Sequence, residues 1–239
     1  MKTCVFDIET DGLLEDLTKI HCLVLYDIEE DRLTSFTGEE TMDGLFFLKN
    51  FDTIIGHNII SFDLPVLKSF FKWEPEPTQK IRDTLVWSRL IYPDRASRDS
   101  INQAIDKDQY GRHSLKSWGQ RLDFGKGEFT DFEEFSIEML EYCENDVQLN
   151  YKLYCKLLGA KFPEDSIQLE HDIHTICLRQ TENGFPFDVE GASKLYAQLA
   201  EKRDKLQGEL KKVFGSWIVD EGSRKNDTYN KVKIVDFNP

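Results

Sequence analysis

The chain opens on a run, Cys4-Val5-Phe6-Asp7-Ile8-Glu9, with the β-branched and aromatic content of a strand. Side chains of a strand alternate faces, so Asp7 and Glu9 project the same way. A continuous apolar run from Ile20 to Tyr26 predicts a central strand, and Arg32 to Phe36 alternates into a shorter one beyond the turn EEDR. Together these predict an antiparallel meander. Thr41 to Lys49 has helical spacing, Thr53 to Gly56 reads as another strand, and Ser61 to Phe71 reads as a helix closed by Pro75 and Pro77. Residues 84–92 and 114–122 predict two further helices around a polar loop at 94–112, and 133–158 predicts a long helical region. The order of elements predicts an α/β fold, a mixed sheet with helices on both faces.

Past the break Gly159-Ala160-Lys161-Phe162-Pro163, Glu164 to Thr181 and Val189 to Val213 predict two helices separated by Asn183-Gly184 and Pro186. Three parts are therefore expected. Residues 1–160 form the α/β domain, 161–218 a helical connector, and 219–239, polar and aperiodic, a poorly ordered or partner-dependent tail.

With 40% hydrophobic and 12% aromatic residues among 239, the chain has ample material for a buried core. Nothing approaches the roughly 18 uninterrupted apolar residues of a membrane span, and the N-terminus enters a strand without a signal-peptide pattern, so the expected location is the cytoplasm. Cys4, Cys22, Cys143, Cys155 and Cys177 form no CxxC pair and sit among apolar neighbours, which reads as five small buried hydrophobes. The net charge of −14 argues against nucleic-acid binding until its distribution is read. Residues 80–126 carry ten Lys+Arg against six Asp, net +4, and 194–239 carry ten against seven Asp+Glu, net +3. Arg89, Arg95, Arg98, Arg112 and Lys116 are candidates for tracking phosphates, a solvated loop being the alternative.

The candidate chemistry lies in three segments: Asp7 and Glu9 in CVFDIET, Asp63 in HNIISFD, and Tyr142 and Asp146 in YCEND. The spacing of four sets Tyr142 and Asp146 one above the other on a helix. An isolated DxE is weak evidence in a chain with 44 Asp+Glu, and Asp63 alone could be a helix cap. Four carboxylates together suit a pair of hard divalent cations about 3.5–4 Å apart, which polarise a phosphodiester and generate hydroxide. His171 and His174 have a metal-compatible spacing but lie far from these acids in sequence, His113 reads as a loop residue, and His21 as a satisfied core histidine.

The three segments resemble the DEDD superfamily of 3′–5′ exonucleases, in the branch whose third motif carries tyrosine. The stretches LLEDLTKIHC, DTLVWSRLIYPD, HSLKSWGQRLDFGKGEF and RQTENGFPFD are similar, in the same order, to the exonuclease half of the family A replicative DNA polymerases of short-tailed bacteriophages. The likeness covers residues 1 to about 218. The spacing from Asn58 to Asp63 is one residue longer than the usual bacterial Asn-x3-Asp, a form shared by phage and family B polymerases.

The resemblance implies a ribonuclease H-like fold followed by a helical connector, and a proofreading 3′–5′ exonuclease acting on single-stranded or mismatched DNA 3′ ends. It implies two divalent ions, magnesium with manganese as the alternative, held by Asp7, Glu9, Asp63 and Asp146. Asp7 would bridge them, Glu9 and Asp146 would complete one site, Asp63 would support the other through a water, and Tyr142 would orient the attacking water. Leu13 and Phe62, beside the motifs, are candidates to stack on substrate bases, with ordinary packing as the alternative, and His57 and Asn58 are candidates to touch substrate, with fixing the turn as the alternative. A DNA polymerase moiety on a separate or truncated polypeptide is the expected partner, in the host cytoplasm if the chain is phage-encoded. A non-catalytic replisome subunit and a ribonuclease of the same superfamily are the competing readings.

Overall fold

The computed structural model describes residues 1–125, 129–220 and 232–236. Strands β1 (Thr3–Thr10), β2 (Ile20–Asp27), β3 (Arg32–Thr37), β4 (Thr53–Gly56) and β5 (Lys80–Asp83) form one sheet in the order β3-β2-β1-β4-β5. The expected meander is its antiparallel half, while β4 runs parallel to both β1 and β5. The helices are α1 (Thr41–Leu48), α2 (Asp63–Phe71), α3 (Thr84–Ile91), α4 (Arg95–Asn102), α5 (Leu115–Arg121), α6 (Ile137–Gly159), α7 (Glu164–Asn183) and α8 (Val189–Phe214).

Alternation along β1 divides the core. Cys4, Phe6 and Ile8 pack on one side with Leu45 and Leu48 of α1 and Val66 and Leu67 of α2. Val5 faces the other side, where Cys22, Val24 and Ile55 meet Cys143 and Val147 of α6. Helices therefore cover both faces of a mixed sheet, as the sequence predicts. Farther along α6, Leu149, Leu153 and Leu157 join Trp87 of α3 and Trp118 of α5 in a third cluster.

In the first 183 residues two elements escape the hydrophobic pattern. β5 is the four-residue Lys-Ile-Arg-Asp, too short and polar to register as a period of two. α4 lies inside the expected polar loop and buries Asp99 in place of an apolar stripe. The cysteine reading needs a correction too: Cys4, Cys22 and Cys143 are buried, but Cys155 and Cys177 are exposed on outward faces of α6 and α7.

The chain divides into compact units Met1–Asn183 and Gly184–Pro239. The helix α7, which the sequence reading assigned to a connector, thus lies in the first unit, with Ile167 and His171 buried. In the second unit, Asp188 caps α8 by accepting from the Gly191 N–H at 2.8 Å. There β6 (Ser216–Asp220) pairs antiparallel with β7 (Val232–Asp236). The rest of the expected tail, 221–231 and 237–239, lies outside the described residues. Among the described residues, no helix is long and apolar enough to cross a membrane.

Asp83, at the end of β5, is fully buried. Its Oδ1 accepts from the N–H groups of Asn58 (2.9 Å), Leu85 (2.9 Å) and Val86 (3.4 Å), and its Oδ2 from that of Ile60 (3.1 Å). One carboxylate thus caps α3 and holds the turn between β4 and α2. The Asp83 N–H donates to His171 Nε2 at 2.8 Å, which leaves the ring proton on Nδ1, facing the Ile167 carbonyl at 2.7 Å. Burial lowers the His171 pKa, with the Arg82 and His174 charges acting in the same direction, and this outweighs the Ile167 hydrogen bond and the Asp83 charge, which raise it.

Removing the Asp83 carboxylate strands four N–H donors. Asp83→Ala is therefore expected to cost ~3 kcal/mol or more in urea unfolding. His171 is harder to protonate folded than unfolded, so its contribution is full above about pH 6.5 and is lost as pH falls below that. The part of the melting temperature owed to His171 should fall between pH 7 and 5, read as the difference from a variant that does not titrate at that position. His171→Gln, whose amide oxygen can accept from Asp83 without titrating, should flatten that drop, and an unchanged slope would count against the assignment.

Candidate active site

Asp7 and Glu9 reach the site from β1, whose pairing with β2 sets Asp7 opposite Val24 and Glu9 opposite Cys22. Across from them runs α6, started by Ser136, whose hydroxyl accepts from the Met139 N–H at 3.1 Å. The ligand atoms of Asp7, Glu9 and Cys143 all lie within 4.8 Å of one another. Glu9 and Asp146 are buried, Asp7 partly so. The phenol ring of Tyr142 lies 5.9 Å from the ring of Phe129 and 6.2 Å from that of Phe132, which hold it in place.

The middle segment depends on a tight reversal after β4. A Cβ on Gly56 would lie 1.8 Å from Ile59 Cγ2, so only glycine fits there. Asn58 follows with φ at 68°, a left-handed conformation that asparagine tolerates, and Asp83 pins its N–H. The reversal delivers Asp63 as the first residue of α2, whose cap position is Phe62, so Asp63 is not the cap of its helix. Asp63 is 2% exposed, and its Oδ1 has no hydrogen-bond partner among the described residues. Burial, reinforced by the nearby Asp83 charge, pushes its pKa up to about 7. A buried carboxylate oxygen left unmatched is costly unless a cation meets it.

Asp7, Glu9, Asp63, Tyr142 and Asp146 line one cleft of about 590 Å³. His57, Asn58 and Phe62 line it as well. Leu13 does not: it is 75% exposed on the loop after β1. His57 Nδ1 sits 2.9 Å from the Thr84 hydroxyl, which also meets Asn150 Oδ1 of α6 at 2.6 Å.

The far wall supplies positive charge. Of the basic candidates, Arg89 and Arg112 line the cleft. Arg95 is committed to Asp99 and Arg98 to Asp94, while Lys116 lines a neighbouring cavity of about 610 Å³ that shares Tyr142. His113 is more than a loop residue, since it lines the cleft and its Nδ1 sits 2.9 Å from the Ser88 hydroxyl. Burial, followed by the charges of Arg121, Arg89 and Arg95, lowers its pKa to about 4. His171 and His174 are engaged elsewhere, the latter with Ser61 Oγ at 2.8 Å, and His21 meets the Phe132 carbonyl at 3.0 Å.

The support of this wall was not visible in sequence. Buried Asp99 accepts from Arg121 Nη2 at 2.6 Å, Arg95 Nε at 3.1 Å and the Gly111 N–H at 3.1 Å. Burial alone would raise the Asp99 pKa, but the Arg121 hydrogen bond, the Gly111 N–H and the two guanidinium charges bring it below the usual range. The Arg121 guanidinium also lies 4.8 Å from the Trp118 ring. The fixed point at Gly111 immediately precedes Arg112 and His113.

Comparison with known proteins adds three findings. The family profile of the RNase_H superfamily matches residues 4–158. The DNA-directed DNA polymerase of Enterobacteria phage T3 is 31% identical to this chain over 267 aligned positions, and that of Escherichia phage T7 is 30% identical. Each alignment covers 91% of this chain and 38% of the relative, so the chain spans well under half the length of these polymerases. A solved nuclease in its apo form aligns with a TM-score of 0.51 at 19% identity, over 74% of this chain and 80% of its own, a likeness of fold.

Asp99→Ala would leave Arg121, whose side chain is 4% exposed, charged and without that carboxylate. The expected loss of stability is ~3–5 kcal/mol, because a stranded buried charge costs more than the pair contributes. Chemical denaturation of the purified variant checks this.

Proposed function

The chain belongs to the RNase_H superfamily, and from that premise we propose that it is a metal-dependent 3′–5′ exonuclease releasing nucleoside 5′-monophosphates from single-stranded or mismatched DNA ends. The family and the polymerase relatives support a nuclease; polarity, DNA specificity and a proofreading role are the proposal. One observation carries it: four carboxylates and a tyrosine from three distant segments line one cleft, with Asp63 Oδ1 buried and unmatched.

That all-oxygen donor set fits hard divalent cations, magnesium or in its place manganese. Asp7, Glu9, Asp63 and Asp146 would hold two ions, and bound there they would activate a water and neutralise charge on the scissile phosphate. The rest falls to the chain itself. The Tyr142 hydroxyl, steadied by Phe129 and Phe132, orients the attacking water. Arg89 and Arg112 face the backbone phosphates, and His57, Asn58 and Phe62 meet the terminal nucleotide. Leu13, outside the cleft, is left out of this set.

We assign the chemistry to residues 1–160, with α7 packed in the same compact unit, and a connecting role toward a polymerase moiety to the rest of 161–218, with 219–239 as its partner-dependent end. Exposed apolar residues on α8 support a partner, Tyr196 being 73% and Val213 76% exposed. The alignment to phage polymerases favours host cytoplasm as the setting. A non-catalytic subunit is the weaker reading, because a relic would be expected to have lost one of the carboxylates and all are present.

Incubation with 5′-labelled single-stranded DNA and magnesium should give a ladder shortened from the 3′ end, and an equal rate on RNA would redirect the assignment to a ribonuclease. Asp7→Ala should abolish the ladder while the protein stays folded. Tyr142→Phe should lose ~10- to 1000-fold in rate with metal binding retained. Magnesium should also raise the melting temperature, because it binds the folded state alone and relieves repulsion among the carboxylates. Chelator should reverse that rise.

A further inference from the structure

Two histidines on α7 reach back to the elements that carry Asp63. His171 accepts from the Asp83 N–H, and His174 Nε2 lies 2.8 Å from the Ser61 hydroxyl. Either atom of the second pair can donate, so that contact holds in both tautomers. The anchorage of α7 does not depend on it. Ile167 is buried in the cluster with Trp87, Leu178 packs against the core of Phe6, Val66 and Leu67, and Glu164 and Gln168 hold the buried Arg82. What His174 adds is a hold on Ser61.

Ser61 stands two residues before Asp63. The N–H groups of Ser61 and Phe62 both turn onto the Asn58 carbonyl at 3.1 Å, and α2 starts from Phe62 without a side-chain cap. The way the chain enters α2 is therefore set by how Ser61 is held. The Asp63 carboxylate in turn accepts from its own N–H and from the Ile8 N–H, and Ile8 lies on β1 between Asp7 and Glu9. Its other oxygen, Oδ1, is the buried one that no group among the described residues meets. A small change in the entry to α2 would move that oxygen relative to Asp7 and Glu9.

We propose that His174 is a positioning residue for the cation site of the cleft: through the Ser61 hydroxyl it fixes the entry to α2 and so holds Asp63 Oδ1 in place beside Asp7 and Glu9. The inference rests on the metal-binding reading of the cleft and deepens it by naming a support that contributes no ligand atom. Groups that orient a ligand from outside typically account for ~10- to 100-fold in metal affinity. His174 acts on the segment leading to the ligand rather than on the carboxylate itself, which puts its effect at the low end of that range.

The test is manganese binding by the full chain, read from the electron paramagnetic resonance of the unbound ion. Binding is measured well below the melting temperature of each variant, so that unfolding does not pass for weakened affinity. His174→Ala and Ser61→Ala should each weaken binding ~10-fold, and the double variant no more than either alone, since both remove one contact. Asp63→Asn binds weakly from the outset, and adding His174→Ala to it should change nothing further. A lower melting temperature with unchanged manganese affinity would mark a contact that serves stability alone and would overturn the proposal. Equal losses with and without the Asp63 carboxylate would overturn it too. Magnesium-dependent hydrolysis is scored separately: a ladder from the wild-type chain with affinity unshifted in His174→Ala sinks only the role of His174, whereas a wild-type chain that binds no manganese sinks the cation site and this role with it.

Discussion

The Asp83 carboxylate ties together segments of the structure that are distant in sequence. It sits at the end of β5, caps α3, restrains the turn that carries His57 and Asn58, and through its own N–H receives α7 by way of His171. A buried carboxylate is tolerated only when its oxygens are satisfied, and here backbone N–H groups do so from two segments. Each donor is weak by itself. Together they make the middle motif's position depend on an edge strand and a distant helix, neither of which contains a motif residue.

Asp83 and Asp63 form an instructive contrast. Both are buried aspartates at the cleft end of the sheet, but one is saturated with hydrogen bonds and the other has an oxygen left over. The first is architecture. The second keeps one carboxylate oxygen that no group among the described residues meets, and burial together with its saturated neighbour raises its pKa. The acidic interior of the cleft is set against Arg89 and Arg112 on its wall, so even in a chain of net charge −14 the cleft carries local positive charge.

Hydrophobic periodicity revealed the meander, β4 and the long helix, because each buries an apolar face whose spacing is set by backbone geometry. Motif order brought Asp7, Glu9, Asp63, Tyr142 and Asp146 into consideration together, and they share a cleft. What stayed hidden was held by polar contacts between positions remote in sequence. α4 turns on Asp99 meeting Arg121, a pairing 22 residues apart that no periodicity encodes. β5 carries a buried arginine, Arg82, satisfied by Gln168 and Glu164 on α7. The place of α7 in the first compact unit was hidden for the same reason, since its anchors are Ile167 and a histidine that hydrogen-bonds a backbone amide. Leu13 is near a motif in sequence, but the loop after β1 leaves it in solvent.

The alternation along β1 has a consequence for how such a chain can evolve. Phe6 and Ile8 hold one layer of the core while Asp7 and Glu9, one position out of phase, line the cleft on the opposite face. The two messages are interleaved in the same eight residues. Substitutions can revise either message alone, but a single inserted or deleted residue would exchange them, turning carboxylates into the core and aromatics into the cleft. Descendants of this sequence are therefore free to drift in letter along β1 while being held to its reading frame.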